Sequence, residues 1–230
     1  MNDPIPKDLG PLDDPKRLSA FDTALLDRLP DPELEQLVAQ ASQVSGFPIA
    51  LVSLVVNQIQ FFRAHTGLSP DLAASLATDR CTSFCQYVVA DSRPLRIADA
   101  LLEPALPNDL VQRYGIRAYV GFPLRVAQHT VGSFCVIDVK PGQLGPDPLR
   151  QLEQLAQAAS ARLEKLARQW APPSSAAEEQ SHRAWMAVAE VQSLASLSEQ
   201  FASGKVSFEE FQRGLGALAQ IAGRLPSQNG

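Results

Sequence analysis

Two β-rich runs, residues 117–126 and 130–139, are separated by only Ala127, Gln128 and His129. A connection this short joins strands as an antiparallel hairpin, because a parallel return needs a crossover of a dozen residues or more. The fold must therefore contain an antiparallel pair late in the chain. Residues 48–56 (PIALVSLVV) read as a buried strand, and Asn57-Gln58 as a turn into another strand over 59–65. A brief strand is expected at 95–98. Leu18, Phe21, Leu25 and Leu29 predict a short helix stopped by Pro30. Asp31-Pro32-Glu33 starts the next, with Asp as cap, Pro at the first helical position and a carboxylate at the positive end of the dipole. Leu34, Leu37, Val38, Ala41 and Val44 share its face, and Gly46 is placed to end it. A helix is expected at 83–90, an irregular stretch with at most one turn near Leu110 over 99–115, and a last helix at 146–170. The class is α+β: one antiparallel sheet with helices packed on it.

Prolines set the boundaries. Residues 1–15 hold Pro4, Pro6, Pro11 and Pro15 and are expected to be a flexible, extended lead-in. The body spans 16–170. Ala171-Pro172-Pro173-Ser174-Ser175 marks a linker, 171–177, before an α-helical hairpin extension at 178–226. A net charge of −5 argues against nucleic acid and anionic membrane as partners. No apolar run is long enough for a membrane span, and no leader is visible. Three cysteines are too few and odd in number for a disulfide framework, which fits a reducing, cytoplasmic compartment.

The body resembles a GAF domain of bacterial signalling proteins. The resemblance rests on Asp31-Pro32-Glu33, the 48–55 strand, Phe61-Phe62, Gly67-Leu68, Ser83-Phe84-Cys85, Pro94-Leu95, and Ile97-Ala98-Asp99-Ala100. Residues 115–124 (GIRAYVGFPL) and 131–138 (VGSFCVID) complete it. It implies a six-stranded antiparallel sheet with a ligand pocket on one side, a helical layer on the other, and signalling through terminal helices. It implies small-molecule binding or none, and rarely catalysis. Departures from the family are specific. The bilin-binding Cys-His pair is missing, position 87 is Tyr where this subgroup often has His, and the cyclic-nucleotide pattern is not found. The cysteines do not match the methionine-sulfoxide reductase branch.

Phe84, Tyr87, Asp99, Arg117, Tyr119 and Phe122 are the candidate ligand residues, a cation and an anion among aromatic walls. The same residues suit a structural role, in which Arg117 and Asp99 tie the long loop to the sheet; that reading is the favoured one. Gly121 and Pro123 read as a bulge and a strand-edge proline. Cys81 and Cys85 share i, i+4 spacing, a thiol pair or, more simply, packing residues, as is Cys135 within its strand. They do not complete a zinc site. His65 and His129 are isolated, and no catalytic constellation or cofactor motif stands out, so no enzyme activity and no cofactor are expected.

The helices carry more information. Leu149, Leu152, Ala156, Ala159, Leu163, Leu166 and Trp170 form an a/d seam. A helix of about 25 residues is about 37 Å long and outruns the sheet. The seam is expected to meet the first helix or a second subunit, with a helix absorbed by its own sheet as the alternative. In the extension, Trp185 anchors one amphipathic face and Phe208 and Phe211 another, joined at Gly204. A calcium loop there fails for want of oxygen ligands. The expected function is a non-catalytic sensor or scaffold, homodimeric through Leu149, Leu152, Leu163, Leu166, Trp170, Trp185, Phe208 and Phe211. It would act on a signalling or assembly partner, with a small ligand as gate. Alternatives are a thiol-dependent redox enzyme and a structural protein with a filled pocket.

Overall fold

The computed structural model describes residues 2–169, apart from 22, 23, 28 and 57, together with 198, 201, 202, 204, 207, 208 and 212. The linker, most of the 178–226 hairpin, and Trp170, Trp185 and Phe211 lie outside the described residues.

In chain order the elements are α1 (Pro15–Leu18), α2 (Pro32–Ser45), β1 (Ile49–Val55), β2 (Ile59–Thr66), α3 (Pro70–Ser75), β3 (Ala77–Asp79), α4 (Cys85–Asp91), β4 (Leu95–Ile97), α5 (Asn108–Tyr114), β5 (Ala118–Val126), β6 (His129–Asp138) and α6 (Pro146–Gln169). The six strands form one antiparallel sheet in the order β3-β2-β1-β6-β5-β4. Asp31 caps α2, accepting from the Leu34 amide at 3.0 Å, and Gly46 ends it at φ 70°. Leu34, Val38 and Ala41 bury its inner face, at about 2 kcal/mol for a leucine-sized side chain.

Strand alternation divides the core in two. One face of the sheet carries Ala50, Val52, Leu54, Val120, Phe122, Leu124, Phe134 and Val136 against α2 and α6. The other carries Leu51, Val55, Phe62, Tyr119, Cys135 and Ile137 beneath α4 and α5.

Several expectations are corrected. The first helix stops at Leu18, and Leu29 is exposed, although Leu25 and Phe21 do pack in the α6-side core. Residues 99–115 hold a 3-10 turn at Ala100–Leu102 and the seven-residue α5, more helix than the single turn expected. α3 and β3 had no signal in the periodicity. His129 is not in the hairpin turn: it opens β6 opposite Val126, and the turn is Ala127-Gln128, both at positive φ (48° and 70°). Two such residues mark a type I′ turn, disfavoured for side-chain-bearing residues by about 1–2 kcal/mol each. Glu164 of α6 accepts the Ala127 amide at 2.9 Å and holds the turn in place.

The lead-in, expected to be flexible, is fastened. Asp3 N–H donates to the Arg96 carbonyl on the outer edge of β4 at 2.8 Å, and Arg96 returns bonds to the Asp3 carboxylate. Leu12 is fully buried. Arg17 is buried too, and donates to the carbonyls of Leu12, Val55 and Val56. Burial, followed by repulsion from Arg80, lowers its pKa to about 9.

The α6 seam is taken up in large part within the chain. Leu152 and Leu163 are 1% and 0% exposed, with Ala156 and Ala159 between them, and Leu149 and Leu166 pack against the same cluster. The middle of that face lies against the chain's own sheet and α2, while Leu149 and Leu166 toward its two ends are half-buried.

Candidate functional site

Four polar side chains interrupt the apolar layer beneath α4. Alternation puts Ser53 of β1, Gln60 of β2, and Ser133 and Cys135 of β6 on that face, beside Tyr119 of β5. Ser53 faces Ser133 directly across the β1–β6 ladder. From above, the turn before α4 adds Ser83, whose hydroxyl accepts the Cys85 amide at 3.0 Å. Cys85 is the hub. Its sulfur lies 3.8 Å from that of Cys135. It accepts from the Tyr119 hydroxyl at 3.4 Å and from Gln60 Nε2 at 3.6 Å. The Tyr119 hydroxyl also shares a 2.9 Å bond with Ser133.

Gly121 makes this arrangement possible. It sits inside the sheet, paired with Leu95 and Cys135, and a Cβ there would lie 2.2 Å from the Tyr119 hydroxyl and 2.6 Å from Ser133 Oγ. The bulge assigned to it falls instead at Leu124/Arg125. Pro123 lies past the end of β4, where no strand needs its missing amide hydrogen.

The cluster is buried, and its titration is tuned by contact. Burial acts to raise the Cys85 thiol, but the hydrogen-bonding groups of Cys135, Tyr119, Ser53 and Ser83 outweigh it and lower it to about 6. Burial, then the neighbouring Cys85, push Cys135 well up, and burial does the same to Tyr119. Burial also pushes Tyr87 up to about 12. Toward the β3 edge, Gln60 Oε1, Gln58 Nε2 and Thr78 Oγ1 are buried with no hydrogen-bond partner. Gln60 and Thr78 face each other across the β2–β3 ladder. Each such atom costs about 1–3 kcal/mol while unpaired.

The structure gathers only some of the six candidate residues. Phe84 and Tyr119 meet edge to face at 5.7 Å, and Tyr87 joins the same cluster. Asp99 and Arg117 pair with each other away from it, through bonds of 2.7 and 2.6 Å. Asp99 also caps the Ala100–Leu102 turn, as the structural role requires. The hydrogen bonds from Arg117 hold the Asp99 carboxyl below its usual range, and the same bonds raise Arg117. Phe122 is on the opposite face, three residues from Tyr119 and hence of opposite parity. It lines a cleft of about 430 Å³ with Asp3, Arg93, Arg96, Leu149 and Arg150. Those arginines are already paired, with Asp91, Asp3 and Asp147. Cys81 and Cys85 are not one helical face: Cys81 belongs to the 3-10 turn Arg80–Thr82, and the partner of Cys85 is Cys135. Ser53, Gln60 and Ser133 went unnoticed in the sequence. Their signal was there, as polar residues inside strands otherwise made for burial.

A sheet with this strand order, α2 and α6 on one face and α4 and α5 over a buried polar cluster on the other, agrees with the match of residues 30–163 to the GAF domain family. The chain belongs to the GAF domain family. The chain is 38% identical over 146 residues to a cyclic di-GMP phosphodiesterase of Pseudomonas aeruginosa, a match covering 62% of this chain and 24% of that protein. The chain thus spans about a quarter of that relative's length. Among solved structures, the GAF domain of an Acinetobacter phosphoenolpyruvate-protein phosphotransferase has a TM-score of 0.47 at 15% identity, covering 59% of this chain and 79% of that one. A free methionine-R-sulfoxide reductase from Neisseria meningitidis has a TM-score of 0.47 at 15% identity, covering 67% and 87%. Among the described residues, no helix is long and apolar enough to cross a membrane, and no group of three or more His, Cys, Asp or Glu is placed to hold a metal.

Proposed function

We propose that this GAF domain is a regulatory sensor that takes a small polar ligand in a chamber opened within the polar cluster beneath α4 and signals through α6 to a protein partner. The observation that supports this most is the set of buried, unpaired polar atoms: Gln60 Oε1, Gln58 Nε2 and Thr78 Oγ1. They call for a compact molecule offering both a donor and an acceptor, such as an amide or a zwitterion. Phe84, Tyr87 and Tyr119 supply aromatic walls, while Asp99 and Arg117 brace the adjoining loop.

Chamber and output share strands. Tyr119, Ser133 and Cys135 line one face of β5 and β6, and Val120, Phe122 and Phe134 press on α6 from the other. A ligand that shifts these strands reaches α6 without an intermediary. The groups touching Cys85 are a thiol, hydroxyls and an amide, which supports binding rather than hydrolysis. Assembly with a second copy or a partner is assigned to the extension. There Phe201 and Phe208 are exposed with rings 6.1 Å apart; Trp185 and Phe211, with Trp170 just before the linker, are the further anchors. A relative named for phosphodiesterase activity supports a module that controls an enzyme.

Native mass spectrometry tests the reading. The purified chain is expected to retain a small molecule that Gln60→Leu loses while staying folded. If the wild type carries nothing, and no amino acid, nucleotide or amide in a thermal-shift panel raises its melting temperature, the sensor reading fails. The filled-pocket structural protein then stands.

A further inference from the structure

The geometry points to Cys85 and Cys135 as a two-electron redox couple that closes to a disulfide between α4 and the centre of the sheet when the protein meets a peroxide. The inference stands apart from the ligand reading, since it requires no bound molecule.

The two sulfurs are already in contact at 3.8 Å, with no residue between them. A disulfide requires about 2.05 Å, which leaves a closure of under about 2 Å for rotation of two short side chains. The residues are 50 positions apart in sequence and sit on different elements, a helix and a strand, so the bond would be a true tertiary staple. Their surroundings suit one specific order of events. Cys85 accepts hydrogen bonds from Tyr119 and Gln60, groups that favour a thiolate over a thiol. Cys135 lies in the interior of the sheet, where burial disfavours its thiolate, and is the thiol that reacts second.

The chemistry balances with hydrogen peroxide as the oxidant. The Cys85 thiolate attacks one peroxide oxygen; an S–O bond forms, the O–O bond breaks, and hydroxide leaves, taking up the proton that Cys85 gave up. This is a sulfenic acid on Cys85. The Cys135 sulfur then attacks the Cys85 sulfur; the S–S bond forms, the S–O bond breaks, and the second water leaves with the Cys135 proton. Two thiols lose two electrons and two hydrogens, and one peroxide becomes two waters.

Access is short. Cys85 is the first residue of a seven-residue helix whose preceding turn, Arg80–Thr82, is half-exposed. Opening of that turn admits a molecule the size of peroxide, and excursions of this kind are expected of short peripheral elements. Once closed, the staple fixes α4 to β6 and removes Cys85 from its bonds with Gln60 and Tyr119. The roof of the chamber is then fixed in place.

The test uses the full chain. Wild type and Cys81→Ser are exposed to hydrogen peroxide under native conditions, unreacted thiols are alkylated in denaturant, and cross-linked peptides are mapped. The expected result is loss of both thiols in Cys81→Ser together, a peptide joining residues 85 and 135, and recovery of both thiols with dithiothreitol. In the wild type, the count of alkylated cysteines falls from three to one. Three results overturn the proposal: Cys85 and Cys135 surviving oxidant that consumes Cys81, each being oxidised singly without a cross-link, or Cys85 pairing with Cys81. Because the wild-type map carries the same information, a failure of Cys81→Ser to fold leaves the test intact.

Discussion

Arg162 of α6 grips Asp31, the residue that caps α2, through Nη2 at 2.7 Å and Nε at 3.1 Å from the same carboxylate oxygen. The other Asp31 oxygen accepts the Leu34 amide. One nearly buried carboxylate therefore starts a helix and binds the first long helix of the domain to the last, across 131 residues of chain.

Asp31→Ala should lower stability by about 3 kcal/mol, because it removes the cap and leaves the Arg162 guanidinium without its main partner. Asp31→Asn keeps a capping oxygen and should cost about half as much. Urea denaturation of the three proteins at neutral pH orders them; equal midpoints would show that the pair contributes nothing.

The same residue gives an acid signature. Burial acts to raise the Asp31 carboxyl, but the Arg162 hydrogen bonds and the Leu34 amide outweigh it and lower its pKa. A carboxylate whose folded pKa is depressed contributes stability that is present above its unfolded value, about 4, and is lost as pH falls through the folded value. The stability difference between wild type and Asp31→Asn should therefore narrow below about pH 4. Denaturation midpoints at pH 7, 4 and 3 would measure it.

Leu152→Ala and Leu163→Ala should each cost about 2–5 kcal/mol as core truncations. Neither should change the sedimentation coefficient of the folded protein. A shift from dimer to monomer at unchanged unfolding midpoint would instead return α6 to the role of an intersubunit seam.

Gly121→Ala forces the Tyr119 hydroxyl out of its bonds with Ser133 and Cys85. The expected cost is about 1–3 kcal/mol, with an altered near-ultraviolet tyrosine signal. Tyr119→Phe is the milder counterpart, at about 1 kcal/mol for the hydrogen bonds alone.

Long periodic elements were legible because their signals are local. Asp31, Pro32 and Gly46 bracket α2 without help from the rest of the chain, and the β5–β6 hairpin follows from the shortness of its turn. β3 is three residues long and α3 six, too few for a period to show. The α6 seam was ambiguous for a different reason: leucines at steps of three and four look alike whether they face a sheet or a second helix. The chamber was half visible. Tyr119 and Phe84 were found as neighbours, but the contact of Cys85 with Cys135 depends on where α4 lands on β6, which no local pattern encodes. Phe122 was grouped with Tyr119 although three steps along a strand reverse the face.

Residues 2 and 3 act as a short companion to β4, the Asn2 amide oxygen taking the Ala98 amide and Asp3 bonding both ways to Arg96. They leave the margin of the sheet plugged. Trim them away and that rim presents bare donors and acceptors to any passing chain, so a shortened protein would tend toward self-adhesion and filament growth where the intact one remains dispersed.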